Sequence, residues 1–242
     1  MQEAPPVGAY FIKDDYEHRT ENATLEEEPG EYWTDRRIWC AKFNQYSTYV
    51  EAARVIREHN LKSVMDVGCG IGWKLTTLVA PLADKVVGVE QRTTADVAKR
   101  LNPGPDYIVM DLEDQDEEPA GQFDLVMSVD VIEHLLDPDH LLRFMRAHCH
   151  DDSYVVISTP ERDVRRGKDN KKSPKAEHVR EWNQAELKAY LEASGFEVVE
   201  HVLRPGFRIG WSMEMLRERL RLLRKGISYH YSQIAICRVA KG

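Results

Sequence analysis

Apolar positions follow two periods along this chain, and the switch between them marks where helices give way to strands. Trp33, Trp39, Phe43, Tyr46, Tyr49, Val50, Ala53 and Ile56 recur mostly at steps of three and four, which predicts an amphipathic helical region. Ser63 to Val67 is then a short apolar run stopped by glycines, the mark of a buried strand. Trp73 to Leu82 returns to helical spacing, Lys85 to Val89 is a second strand and Thr93 to Leu101 a second helix of the alternation. Tyr107 to Met110 and Phe123 to Ser128 read as strands separated by an acidic loop, Glu113 to Glu118. Asp137-Pro138 supplies an N-cap and a first-turn proline for a helix reaching about His150, followed by a fifth strand, Tyr154 to Ser158. Asn183-Gln184-Ala185-Glu186 has the form of a capping box, and Gly195 suits the far end of that helix. Phe196 to Val202 and Tyr231 to Val239 are the sixth and seventh strands, with a helix, Trp211 to Lys225, between them.

Strands alternating with helices at this spacing predict an α/β fold, a mostly parallel sheet wrapped on both faces. The chain divides into an N-terminal helical extension or lid, residues 1–60, and a domain, residues 61–242, with a helical insertion at 204–228. Composition adds limits. Among 242 residues, 42% are hydrophobic and 31% charged, enough to bury a real core. A formal net charge of −8 argues against a protein built to grip nucleic acid. Cys40, Cys69, Cys149 and Cys237 match neither a disulfide scaffold nor a zinc motif, and His148-Cys149-His150 reads as a helix end. The opening MQEAPPVGAYFIKDD lacks the basic and apolar regions of a signal peptide, and no apolar run approaches the roughly 20 residues of a membrane span. A cytoplasmic protein is expected.

The chemistry concentrates after the first strand. Asp66-Val67-Gly68-Cys69-Gly70-Ile71-Gly72 lets the backbone turn sharply and approach a ligand without Cβ collisions. Its spacing is Asp-x-Gly-x-Gly-x-Gly, which opposes the Gly-x-Gly-x-x-Gly of a nicotinamide-binding oxidoreductase. Asp66 would crowd a pyrophosphate but suits an ammonium group. Glu90 ends the second strand, where an acid can accept ribose hydroxyls, and Asp111 with Leu112 follows the third, placed for an adenine. Cys69, Gln91 and Ser128 complete the candidate contacts.

Asp66 to Gly72, Glu90, Met110-Asp111-Leu112 and Phe123-Asp124-Leu125-Val126 together resemble the class I S-adenosyl-L-methionine-dependent methyltransferases. That resemblance covers roughly Leu61 to Val202. It implies a Rossmann-like seven-stranded sheet with the last strand antiparallel, and a methyl donor lying across the tips of the first three strands. It places Gly68 and Gly70 at the methionine part, Glu90 at the ribose and Asp111 at the adenine.

Candidates for the catalytic side lie past the fourth strand, in Asp130-Val131-Ile132-Glu133-His134. As a helical turn this stretch puts Asp130, Glu133 and His134 on one face, with His134 as a general base. Adding His178 makes a set that suits a divalent metal. The pairing with His178-x-x-Glu181-Trp182 is similar to the metal-dependent methyltransferases of the 3′-terminal ribose of small RNAs, which implies Asp130, Glu133, His134 and His178 as ligands. Glu-His before Asp-Pro also resembles the ubiquinone-biosynthesis O-methyltransferases, and Ser158 to Asp163 with His178 to Trp182 resembles enzymes of glycan and secondary metabolism. That second resemblance implies a small-molecule or glycan acceptor and no metal.

Arg162, Arg165, Arg166, Lys168, Lys171, Lys172 and Lys175 form a basic stretch in an acidic chain, either an anion-holding surface for the acceptor or a solvated loop. Arg180 is a separate candidate for an anion contact. The leucines and methionines between Trp211 and Lys225 pack on their own domain, join two copies as a homodimer, or meet a membrane-bound acceptor. Tyr32, Trp33, Trp39 and Tyr46 are either a cofactor lid or helix packing. An inactive binding subunit of the same fold is the remaining reading.

Overall fold

The computed structural model describes residues 9–21, 32–113, 121–208, 213–226 and 228–241. The acidic run Glu26 to Glu28, most of the acidic loop after Glu113, and Trp211 at the start of the expected insertion helix lie outside the described residues. Seven strands, β1 (Ser63–Val67), β2 (Lys85–Glu90), β3 (Asp106–Val109), β4 (Phe123–Val129), β5 (Cys149–Pro160), β6 (Phe196–Arg204) and β7 (Ser232–Val239), form one sheet in the order β3-β2-β1-β4-β5-β7-β6. The first five pair in parallel, and β7 runs antiparallel to both β5 and β6. The order reverses between β1 and β4, which opens a crevice beyond the carboxyl ends of those strands.

Both faces of the sheet are covered, because the strands alternate apolar residues into two cores. Val64, Leu125, Met127, Val156, Ile234 and Ile236 point into one, with Tyr49, Ala52, Val55 and Ile56 of α2 (Tyr46–His59). Met65, Val67, Val126, Val155, Ile157 and Ala235 point into the other. There they meet Leu141, Leu142 and Met145 of α4 (Pro138–Ala147) and Leu187 and Leu191 of α6 (Gln184–Ala193). The period-2 pattern on a doubly covered sheet leaves no polar face, which is why these strands read as continuous apolar runs. No helix among the described residues is long and apolar enough to cross a membrane, and all four cysteines are free.

Four elements differ from their sequence patterns. The helical region from Trp33 to Ile56 is two helices, α1 (Asp35–Ala41) and α2, broken where Gln45 takes a left-handed φ of 54°. The break is held from outside: Gln45 N–H donates to the Gly206 carbonyl and Arg208 N–H to the Phe43 carbonyl. After β1, the helix carries a π turn over Leu75–Val79, with Ala80 N–H donating to the Leu75 carbonyl, and closes in a 3₁₀ turn, Ala80–Leu82, where Pro81 has no N–H to give. α4 stops at Ala147, and β5 begins at Cys149, paired with Phe123 ahead of a bulge. The basic stretch contains a short helix, α5 (Arg162–Arg166), capped by Glu161, whose carboxylate accepts from Val164 N–H. The remaining helices are α3 (Arg92–Leu101) and α7 (Met213–Arg224).

Residues 9–21 are built into the domain. Ile12 is fully buried, Trp182 Nε1–H donates to the Tyr10 carbonyl at 2.9 Å, and Arg19 N–H donates to the Val179 carbonyl at 3.0 Å. With α2 also in the core, contacts continue across residue 60, where the sequence pattern had placed a boundary.

Candidate active site

The glycine turn after β1 forms the floor of a cleft of about 290 Å³. Gly68 and Gly72 have φ of 79° and 71°; a Cβ at Gly68 would strike the Val131 side chain, and one at Gly72 the Tyr107 hydroxyl. Glu90, at the end of β2, accepts from Gly70 N–H at 2.8 Å and Gln91 N–H at 2.9 Å, so the carboxylate and the turn are fixed together. Burial pushes its carboxyl up, and the two N–H groups oppose that. Asp111 reaches the cleft after β3, one carboxylate oxygen accepting from Glu113 N–H at 3.0 Å.

Eight of the ten candidate cofactor residues line this cleft: Gly68, Cys69, Gly70, Gly72, Glu90, Gln91, Asp111 and Leu112. Asp66 and Ser128 do not. Ser128 is buried and donates its hydroxyl to the Val67 carbonyl at 3.0 Å, tying β4 to β1. Asp66 is fully buried beneath the turn; one oxygen accepts from the Tyr49 hydroxyl at 2.8 Å, and the other, Oδ1, has no partner. Burial raises the Asp66 carboxyl to about 7 and lowers the nearby Lys74 ammonium to about 8. Lys74 itself lines the cleft and donates to the Ala41 carbonyl at 2.7 Å. Lys74, Tyr49 and Gln45 were missed by sequence reasoning; a lysine inside the apolar pattern of Trp73 to Leu82 was the available signal. Of the aromatic candidates, Tyr32 lines the cleft, and Trp33 beside it donates to the Thr94 hydroxyl at 3.0 Å.

The crevice fits S-adenosyl-L-methionine on its own features. At Gly70 nothing stands within 4 Å of where a Cβ would be, an acid stands at each of the second and third strand ends, and the Lys74 side chain lines the cleft beside the turn.

Past β4 the expected helical turn from Asp130 shrinks to a 3₁₀ turn, Ile132–His134, because Asp130 takes a left-handed φ of 53°. The Asp130 carboxylate accepts from the Ser158 hydroxyl at 2.7 Å, which locks the bend to β5. Asp130 and His134 line the cleft, whereas Glu133 and His178 are buried behind it. Of the four expected ligands, Glu133, His134 and His178 have ligand atoms within 4.8 Å of one another, a group that does not include Asp130.

Each member of that trio has a holder. Glu133 accepts from the Thr159 hydroxyl at 2.9 Å; burial, and then the Asp130 charge, push its carboxyl well up. The His134 Nδ1 lies 2.7 Å from the Glu177 carbonyl, which makes it the protonated nitrogen. Burial, with His178 and Lys175 adding to it, lowers the imidazole to about 4, so it is neutral at ordinary pH. His178 Nδ1 lies 2.7 Å from Glu181, and its Nε2 is 3.3 Å from the Lys175 ammonium. Glu181 is buried, yet the His178 ring and the Arg166 fork at 2.9 and 3.0 Å hold its carboxyl well below the usual range.

The basic stretch is largely neutralised within the fold. Arg162 pairs with Glu186 and Asp163, Arg166 with Glu181, Lys171 with Asp15 and Lys172 with Glu17. Arg180 is buried, donates to the Leu136 carbonyl at 2.9 Å and lies over the Tyr10 ring. On α7, Leu222 is buried while Met213, Leu216, Leu220 and Leu223 are exposed.

Residues 32–201 match the family model described as a methyltransferase domain, so the chain belongs to that family. It carries a class I S-adenosylmethionine-dependent methyltransferase domain. A protein of Mycolicibacterium smegmatis, named a probable S-adenosylmethionine-dependent methyltransferase, is 33% identical over 57% of this chain and 52% of its own length. The ubiquinone biosynthesis O-methyltransferase of Pseudomonas paraeruginosa is 31% identical over 42% of this chain and 46% of its own. The chain thus spans about half the length of the curated relatives it matches. Among solved structures, the complex between the Haloferax volcanii Trm112 methyltransferase activator and its methyltransferase contains a similar chain. The TM-score is 0.64 at 14% identity, over 86% of this chain and 95% of the other, and the likeness shows the shared fold.

Proposed function

We propose that this methyltransferase acts on a hydroxyl oxygen of a sugar, glycan or other small metabolite that enters beside His134. The carrying observation is the state of that side chain. Its Nδ1 is engaged by the Glu177 carbonyl, its environment keeps the ring neutral, and it lines the cleft. A sulfonium methyl, when the donor is bound, is already activated, so the chain's residues have to align the acceptor and take its proton. A neutral imidazole with a lone pair on Nε2 suits that task, and Asp130, also at the cleft, suits a hydrogen bond to the same acceptor. The O-methyltransferase among the relatives supports the choice of oxygen. Four free cysteines support a cytoplasmic setting.

His134→Ala should leave S-adenosylhomocysteine affinity within about two-fold and cut turnover roughly 10²–10⁴-fold. The measurement is calorimetric titration beside methyl transfer from labelled donor to a panel of hydroxyl compounds, with products identified by mass spectrometry. Normal turnover in the variant, or products methylated only on nitrogen or carbon, would overturn the reading.

A second reading rests on the trio Glu133, His134 and His178, whose ligand atoms lie close enough for one divalent ion, with Glu181 orienting His178 as a carboxylate does behind a metal-bound imidazole. The ion would polarise the acceptor hydroxyl, and a 3′-terminal ribose of RNA is the acceptor to test. Lys175 beside His178 Nε2 and the neutralised basic stretch weigh against it. Elemental analysis of the purified protein, with turnover measured before and after chelation, decides between them. About one bound ion, lost in His178→Ala together with turnover, favours the metal; full activity without metal favours His134 alone. Donor binding with no turnover on any acceptor would instead point to a binding subunit.

A further inference from the structure

Four carboxylates line the cofactor cleft, those of Glu90, Asp111, Glu113 and Asp130. Against them, among the described residues, stands one lysine and no arginine, Lys74. S-adenosyl-L-methionine carries a sulfonium, an ammonium and a single carboxylate. Its two cations suit a cleft of acids, whereas its carboxylate is repelled there unless a cation meets it.

Lys74 lies two residues past Gly72, at the start of the helix that follows the glycine turn, and is only 9% exposed. Its ammonium donates to the Ala41 carbonyl at 2.7 Å and lies 5.0 Å from the centre of the Tyr49 ring. An ammonium has three N–H groups, and that carbonyl takes one. Asp66 and Asp130 act on its charge, yet neither forms an ion pair with it among the described residues. Burial lowers the ammonium to about 8, which leaves it charged at neutral pH. A buried cation that lacks a paired anion is costly to keep, and a ligand's anion relieves that cost. Asp66, the acid expected at the methionyl end, is sealed beneath the turn and does not line the cleft. Lys74 is then the charged side chain of the turn and its helix that does. Ala41 is the last residue of α1, so Lys74 also caps that helix, as lysines do at exposed carbonyls. Capping alone needs no opening onto the cleft.

We propose that Lys74 holds the carboxylate of the methyl donor and makes the cleft selective for donors that carry one. The proposal rests on S-adenosyl-L-methionine as donor and is independent of the acceptor, so the hydroxyl reading at His134 can fail without it.

The test is calorimetric titration of the full chain with three ligands. These are S-adenosylhomocysteine, its decarboxylated analogue S-adenosyl-3-thiopropylamine, and 5′-methylthioadenosine, which lacks the amino-acid end altogether. Wild type should bind S-adenosylhomocysteine about ten-fold or more tightly than the decarboxylated analogue. Lys74→Gln keeps a donor for the Ala41 carbonyl and removes the charge. It should weaken S-adenosylhomocysteine roughly 10–100-fold and leave the other two ligands within about two-fold. Lys74→Met, close in shape to the lysine stem, carries the same test if the glutamine variant does not fold. Three outcomes would overturn the proposal: no preference for the carboxylate in wild type, undiminished S-adenosylhomocysteine binding in a folded variant, or equal weakening of all three ligands. The last is the sign of a lysine that only caps α1.

Discussion

Asp66 and Glu90 are both acids at strand ends, yet their surroundings give them different work. Glu90 meets the cleft with two backbone N–H groups behind it. Removing it as Glu90→Ala should weaken S-adenosylhomocysteine binding by roughly 10–100-fold, the scale of a hydrogen bond to a charged group; titration calorimetry reads it, and unchanged affinity would remove Glu90 from the cofactor site. Asp66 has no exposure and an unpartnered oxygen, and burial holds its carboxyl at about 7. The folded state therefore binds this proton more tightly than the unfolded chain, whose aspartate titrates near ~3.9. Stability from this group is fully present below that value and is lost as pH rises through about 7. Asp66→Asn should abolish that loss, so the urea midpoint of the variant gains on wild type between about pH 4 and pH 8. A constant difference across that range would show that the buried charge is not the cause. The glycines, Glu90 and Asp111 were legible because strand ends and turn spacing place them in the cleft whatever the packing. The turning inward of Asp66 and Ser128 depends on Tyr49 and on the β1–β4 pairing, which no local pattern encodes.

Where an element's ends are set by its own residues, the sequence announces them. At α6 the Asn183 side chain accepts from Glu186 N–H and the Glu186 carboxylate from Asn183 N–H, both at 2.9 Å, as the capping-box pattern requires. Asn183→Ala should cost about 1 kcal/mol of unfolding free energy, read as a shift in urea midpoint at unchanged slope. A neutral result would mean that Glu186, which also holds Arg162, fixes the helix alone. Elements whose ends are set from elsewhere were misread. The α1–α2 break depends on bonds from Gly206 and Arg208, more than 160 positions away in sequence, and the turn at Asp130 depends on Ser158 of β5. The same bend removes Asp130 from the face it would share with Glu133 and His134 on a regular helix.

Over the whole molecule, the sheet order creates the cleft, and residues 9–21 tie together the elements that lie outside its lining. Residues 9–21 run across α6 and the loop carrying His178, with Ile12 sealed in the core beside Trp182 and Tyr190. Ile12→Ala should destabilise the fold by about 2–5 kcal/mol, the range for a buried Ile cut to Ala. The check is denaturant unfolding; a loss under about 0.5 kcal/mol, the size of a surface substitution, would show that this segment is not part of the cooperative core. Because the segment also contacts Glu181 through the Tyr16 hydroxyl at 3.1 Å, its docking bears on the support behind His178.

The sequence by itself determined the fold class, the seven strands and the cofactor turn, because hydrophobic period and glycine spacing act over a few residues. Tertiary structure alone decided which residues of the basic stretch are neutralised within the fold. Arg162 and Arg165 are equivalent in the sequence, and only the fold brings Glu186 to the first and Tyr231 to the second. It also decided that Glu133, His134 and His178 meet while Asp130 stays apart. Those outcomes turn on which distant groups meet across β4, β5 and the loop before α6, and contacts of that range leave no period in the chain.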